Sequence, residues 1–141
     1  MIVYKKAFLS VAALSVVLML YLFTNPLRIS EDIIKSKILL EIPIGTKMTE
    51  VERYIKKKKW KISYIDNTQG FYDQRQNACS LNGRMVLTNS ESSICIVGNK
   101  SILAEIGKYG VLSTTSVDIF LGFDEKFNLI DVWVWKTTEA L

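Results

Sequence analysis

The longest hydrophobic stretch opens the chain: no charge occurs between Lys6 and Arg28, and Ala7 to Phe23 is an apolar run interrupted only by Ser10 and Ser15. A membrane-spanning helix takes roughly 20 apolar residues, and this run is near that minimum. The exit reads Tyr21-Leu22-Phe23-Thr24-Asn25-Pro26, bulky where signal cleavage requires small side chains, so the pattern predicts a retained anchor. Lys5 and Lys6 before the run outweigh the single Arg28 after it, which predicts a cytoplasmic N-terminus. The expected organisation is a cytoplasmic stub and transmembrane anchor over residues 1–29, in the inner (plasma) membrane. Residues 30–141 then form a domain displayed in the periplasm or outside the cell.

Past Ser30 the period becomes helical. Ser30 followed by Glu31 and Asp32 is a favourable helix start, and Ile34 and Ile38 give one apolar edge before Pro43 closes the segment. Met48, Val51, Tyr54 and Ile55 share one face of a second helix, with Arg53, Lys56 and Lys57 pointing away. Its start falls between Thr46 and Thr49, the latter forming a possible capping box with Glu52. Lys58 would land on the apolar face, so the helix should stop near Lys57.

From Trp60 onward the alternation is twofold and the residues are β-branched or aromatic. Strands are expected at Trp60 to Ile65, Arg84 to Leu87, Ile94 to Val97, Val117 to Phe123 and Leu129 to Lys136. The last two are joined as a hairpin through Asp124 to Asn128, where Asn128 tolerates a left-handed backbone. Helices followed by an antiparallel meander of about four strands make an α+β domain of two layers. In the last strand Ile130, Val132 and Val134 fall on one face. Leu129, Asp131, Trp133 and Trp135 fall on the other, which leaves the tryptophans either on an open sheet surface or under the central segment.

Charge refines this picture. Three of the 18 Lys and Arg precede Ser30 and all 14 Asp and Glu follow it, so the domain is nearly neutral and gives no support to nucleic-acid binding. Seven cations against two anions between Lys47 and Lys61 make the second helix locally basic. Arg53, Lys56 and Lys57 are candidate contacts for an acidic partner or anionic lipid headgroups, or simply a solvated face.

The chain has no histidine, which removes the commonest general base and the Ser-His and Cys-His nucleophile pairs. Asp66 with Asp73, or Asp118 with Asp131, are carboxylates that a sheet could bring together. Cys79 and Cys95 lack the spacing of a metal or dithiol redox site, and no cofactor motif is present. A disulfide between them would close a loop of about fifteen residues and contribute roughly 3 kcal/mol; two separate thiols are the alternative.

Pro43-Ile44-Gly45-Thr46, the helix carrying Val51, and Phe120-Leu121-Gly122-Phe123-Asp124 followed by Leu129-Ile130-Asp131-Val132 resemble the small envelope proteins related to SmpA/OmlA, which include BamE. The resemblance implies a fold of two helices and three or more strands shared by assembly factors and protein inhibitors. The sequence therefore predicts a non-catalytic protein-binding module with an accessory role in the bacterial envelope. The alternative is an immunity or inhibitor protein against a periplasm-acting toxin or hydrolase. Its expected partners are another protein, with Arg53, Lys56, Lys57, Trp133 and Trp135 as contacts, and the lipid bilayer through Ala7 to Phe23.

Overall fold

The computed structural model describes residues 13–17, 19–20, 25–75, 83–87, 93–111 and 113–140. A 3-10 turn at Pro26–Arg28 leads into helices α1 (Glu31–Glu41) and α2 (Met48–Lys57). Seven strands follow: β1 (Lys61–Asp66), β2 (Phe71–Asp73), β3 (Gly83–Leu87), β4 (Ser93–Val97), β5 (Lys100–Tyr109), β6 (Ser113–Phe123) and β7 (Leu129–Ala140). They form two antiparallel sheets, a larger one in the order β1-β5-β6-β7 and a smaller one in the order β2-β4-β3.

The helices pack on one face of the larger sheet. Ile34, Ile38 and Ile42 with Met48, Val51 and Ile55 meet Ile102, Ala104, Val117, Ile119, Leu121, Phe123, Leu129, Val132 and Val134 in one buried core. Leu27 and Ile29 pack against its edge, so the folded unit takes in residues before Ser30. On the opposite face the smaller sheet contributes Phe71, Cys95 and Val97 to a second cluster with Trp133, Phe120 and Ile130. Gly122 permits this approach: a Cβ there would meet Phe71 Cε1 at 3.0 Å and the Val97 carbonyl oxygen at 3.1 Å.

The expected two-layer domain with one meander is therefore corrected to three layers, helices, larger sheet and smaller sheet. Only β5, β6 and β7 run as a meander, while β2 to β4 split away between β1 and β5. The cause lies in the larger sheet, whose β6–β7 pair is apolar on both faces and cannot leave one of them to water.

A second correction concerns the anchor and the location derived from it. No helix among the described residues is long and apolar enough to cross a membrane. Of Ala7 to Phe23 only 13–17 and 19–20 are described, as helix, and the remainder lies outside the described residues, as do Lys5 and Lys6. Apolar composition sets hydropathy, but a span also requires an unbroken helix of roughly 20 residues. Arg28, read as the outer flank of the anchor, stands 5.5 Å from the centre of the Tyr109 ring.

Local chemistry accounts for the helix ends. Ser30 caps α1, accepting from the Ile33 N–H, with Glu31 and Asp32 in the first turn. At α2 the Thr49–Glu52 box does not form, because Lys47 is the N-cap and Thr46 turns back to donate to the Pro43 carbonyl. The C-terminus is a Schellman turn, with Lys59 N–H donating to Lys56 and Trp60 N–H to Ile55. Trp60 closes it edge-on against Tyr54 at 5.3 Å. Its left-handed position, which glycine usually fills, is held by Lys59 at φ 59°. In the β6–β7 turn the left-handed residue is Phe127 at φ 62°, not Asn128, whose backbone and side chain both donate to Asp124.

Register decides the last strand. Gly122 pairs with Asp131 and Phe123 with Leu129, so Ile130 is an extra, bulged residue. The expected grouping is corrected accordingly: Leu129 joins Val132 and Val134 under the helices, and Ile130 moves to the tryptophan face.

Lys59→Gly relieves the left-handed strain and should raise stability by roughly 0.5–1 kcal/mol in urea denaturation. Gly122→Val should lower it by more than 1 kcal/mol, because neither Phe71 nor the Val97 backbone can retreat without opening the second core.

Candidate functional site

The face of the larger sheet turned away from the helices carries the unusual chemistry. Phe120 and Trp133 are cross-strand partners, and so are Asp118 and Trp135; Glu105 lies beside Asp118 on β5, and Lys61 beside Glu105 on β1. The aromatic rings form a ladder. Phe71 lies 5.7 Å from Phe120, Phe120 4.9 Å from Trp133, and Trp133 5.6 Å from Trp135 with an interplanar angle of 17°.

The ladder is covered at one end only. Phe71 and Val97 of the smaller sheet lie against Phe120 and Trp133, leaving Trp133 8% exposed, whereas Trp135 beyond them is 39% exposed. Trp133, expected as a partner contact, is thus a core residue, and Trp135 is the surface one. Equal spacing on one strand face made the two indistinguishable in sequence; coverage by a distant segment separates them.

Above Trp133 stands an arginine. The Arg75 guanidinium lies 5.7 Å from the centre of the Trp133 ring, is bound by both oxygens of the buried Asp73, and reaches Asp131 Oδ2 at 2.8 Å. Asp131 also accepts from Lys35 Nζ of α1 at 2.8 Å and from its neighbour's N–H on Val132. Burial would raise the Asp131 carboxyl, but hydrogen bonds and charge from Lys35 and then Arg75 outweigh it and hold the group below the ordinary carboxylate range.

Asp118 is different. It is half-buried, it forms no ion pair among the described residues, and its hydrogen bond is a long one of 3.4 Å from Ser116 Oγ. Burial first, and then the charge of Glu105, push its carboxyl above the ordinary value against the weaker pull of Ser116 and Lys108. Glu105 is itself engaged by Lys108 at 3.6 Å.

Neither carboxylate pair expected from the sequence meets. Asp66 caps the turn after β1 through Thr68 and Gln69, Asp73 and Asp131 share Arg75, and Asp118 lies next to Glu105 instead. Sheet order, which brings β5 beside β6, creates that last pair. Among the described residues no group of carboxylates, thiols or imidazoles is placed to hold a metal ion. Cys95 is disulfide-bonded on β4, and the only other cysteine of the chain, Cys79, lies outside the described residues.

The basic helix presents Arg53, Lys56 and Lys57 to solvent, followed by exposed Lys59 and Lys61, and none of these is in an ion pair among the described residues; Lys58 pairs with Glu41 at 2.7 Å. Except for Lys61, which lies beside Glu105 on the opposite face, this patch sits on the helical layer at the β1 side of the sheet.

Two clefts lie elsewhere. One of about 550 Å³ at the start of α2 is lined by residues including Lys47, Thr49, Glu52, Asn67 and Phe127, and Lys47 Nζ there already donates to the Lys126 carbonyl. Another of about 300 Å³ lies between α1, α2 and β5. Beside it, burial and then the charge and hydrogen bond of Glu41 push Tyr54 up to about 12. Neither cleft includes Asp118, Glu105 or Trp135. Comparison with protein-family models, with curated proteins and with solved structures finds no match to this chain.

The ladder separates two mutational outcomes: Trp133→Ala should cost about 3–5 kcal/mol, whereas Trp135→Ala should cost about 1 kcal/mol or less, both measured by urea denaturation. Because the folded carboxyl of Asp131 is depressed, its contribution is complete above the ordinary carboxylate range. It is lost as pH falls from there through the folded value. Asp131→Asn should therefore be less stable than the parent at neutral pH, with the difference shrinking under acid.

Proposed function

We propose that this domain is a non-catalytic protein-binding module, and that it binds through the open part of the larger sheet around Trp135. What carries the reading is the contrast along the ladder. The same stacked aromatics are sealed by the smaller sheet at Trp133 and left uncovered at Trp135, with Asp118 and Glu105 beside it. A flat sheet surface with an exposed tryptophan and polar neighbours has the make-up of an interface centre, where tryptophan is enriched.

Binding rather than chemistry is favoured by the surroundings. Asp118 and Glu105 line neither of the two clefts, and the chain has no histidine to serve as a general base beside them. The accessory, non-enzymatic role implied by the resemblance to SmpA/OmlA proteins agrees with this proposal. The exposed cations of α2 act at longer range, orienting approach by repelling positive partners from the helical side.

Photo-crosslinking from position 135, with position 40 as a control on the 84% exposed Leu40, tests the reading. Discrete protein adducts should form from position 135 and not from position 40. Trp135→Ala should weaken the captured partner's affinity by roughly tenfold or more while leaving the fold intact. Equal labelling from both positions would reject the proposal.

A further inference from the structure

Among the described residues the sheet face contains a filled guanidinium site and, one step along the same ladder, an arrangement of the same kind without its cation. The filled site is Arg75 over Trp133, with Asp73 and Asp131 as carboxylate partners. Trp135 is stacked parallel to Trp133, and across the strand from it stands Asp118, with Glu105 beside that. We propose that Trp135 and Asp118, with Glu105 at the rim, receive an arginine side chain presented by a partner protein. This rests on the protein-binding reading given above and specifies the partner's chemistry.

Asp118 is the strongest support. A half-buried carboxylate ordinarily acquires an ion pair or several hydrogen bonds, because its desolvation is otherwise uncompensated. Here the one hydrogen bond is 3.4 Å long and no cation lies within ion-pair distance among the described residues. The charged groups facing it are Glu105 and Lys108 on β5, with Lys61 beyond Glu105 on β1; Lys108 is directed to Glu105. Among the described residues no side chain of this protein supplies that cation. Its four arginines are Arg28, Arg53, Arg75 and Arg84, of which Arg28 lies on Tyr109, Arg75 on Trp133, Arg53 on the exposed face of α2 and Arg84 exposed on β3.

Arginine fits better than lysine. Its planar guanidinium lies flat on an indole while its edge donates two parallel hydrogen bonds to a carboxylate, and it loses hydration more readily than an ammonium. The basic end of α2 lies on the other side of the sheet and toward its other edge, so it does not compete for the same face.

The test is an NMR titration of the ¹⁵N-labelled full chain with the blocked peptide acetyl-Gly-Arg-Gly-Arg-Gly-amide. Lysine and citrulline versions of the same peptide serve as comparison. The Trp135 indole N–H and the backbone amides of Asp118 and Glu105 should shift saturably with the arginine peptide. The lysine peptide should bind roughly two- to fivefold more weakly, and the uncharged citrulline peptide should produce no saturable shift. Binding should fade as pH falls through the raised Asp118 value, because the carboxylate is then lost. Asp118→Asn should abolish the arginine preference and melt no lower than the parent at neutral pH, since a raised folded value means that its charge opposes folding there.

Citrulline shifts equal to those of arginine, or an arginine preference that survives Asp118→Asn, would overturn the guanidinium site. If protein adducts still form from position 135 in that case, the binding reading stands and only the partner chemistry is wrong. If the arginine peptide binds but position 135 captures no protein, the site stands and the binding reading falls.

Discussion

The β6–β7 pair has no face it can leave in water. Val117, Ile119 and Leu121 alternate with Asp118 and Phe120, and Val132 and Val134 alternate with Trp133 and Trp135, so apolar side chains emerge on both sides. Helices satisfy one side, and the smaller sheet satisfies most of the other. Asp131 ties the layers together at the bulge, because one carboxylate accepts from Lys35 in the helical layer and from Arg75 beside the smaller sheet. At roughly 25 cal/mol per Å² of apolar surface, the two cores outweigh any single ion pair, whose role is to fix the register at which they close.

That register decides which side chains reach the surface. With Ile130 bulged out, Leu129 turns into the helical core, while Trp133 and Trp135 share a face with Asp118 and Phe120. The smaller sheet covers Trp133 and stops short of Trp135, which leaves an aromatic ring and an under-bonded carboxylate at the boundary between core and surface. Such groups cost folding free energy, and sites of this kind are where proteins trade stability for recognition.

Much of the framework was legible from residue periodicity. The faces of both helices follow from Ile34, Ile38, Val51 and Ile55, and the extended character of β1, β3, β4, β6 and β7 follows from twofold alternation. The longest omission, β5, contains Ala104 and Gly107, whose weak strand propensity dilutes its signal. The three-residue β2 is too short to show a period at all. The division into two sheets is a long-range matter that no local pattern encodes, and the apolar character of Ala7 to Phe23 did not by itself establish a helix of spanning length. The site was half legible: Trp133 and Trp135 were expected together on one strand face, but the Asp118–Glu105 pairing and the cover that separates the two tryptophans depend on which strands become neighbours.

β7 is an edge strand, and Leu129 to Trp135 alone would be an efficient template for adding further strands. Two carboxylates guard it: Asp131 accepts the Val132 N–H, and Glu31 from the first turn of α1 accepts the Lys136 N–H at 3.2 Å. The first turn of α1 therefore also serves as a colloidal safeguard. Without that contact the outward Lys136 N–H would lose its cover, and this end of the strand would be open to pairing with a further strand.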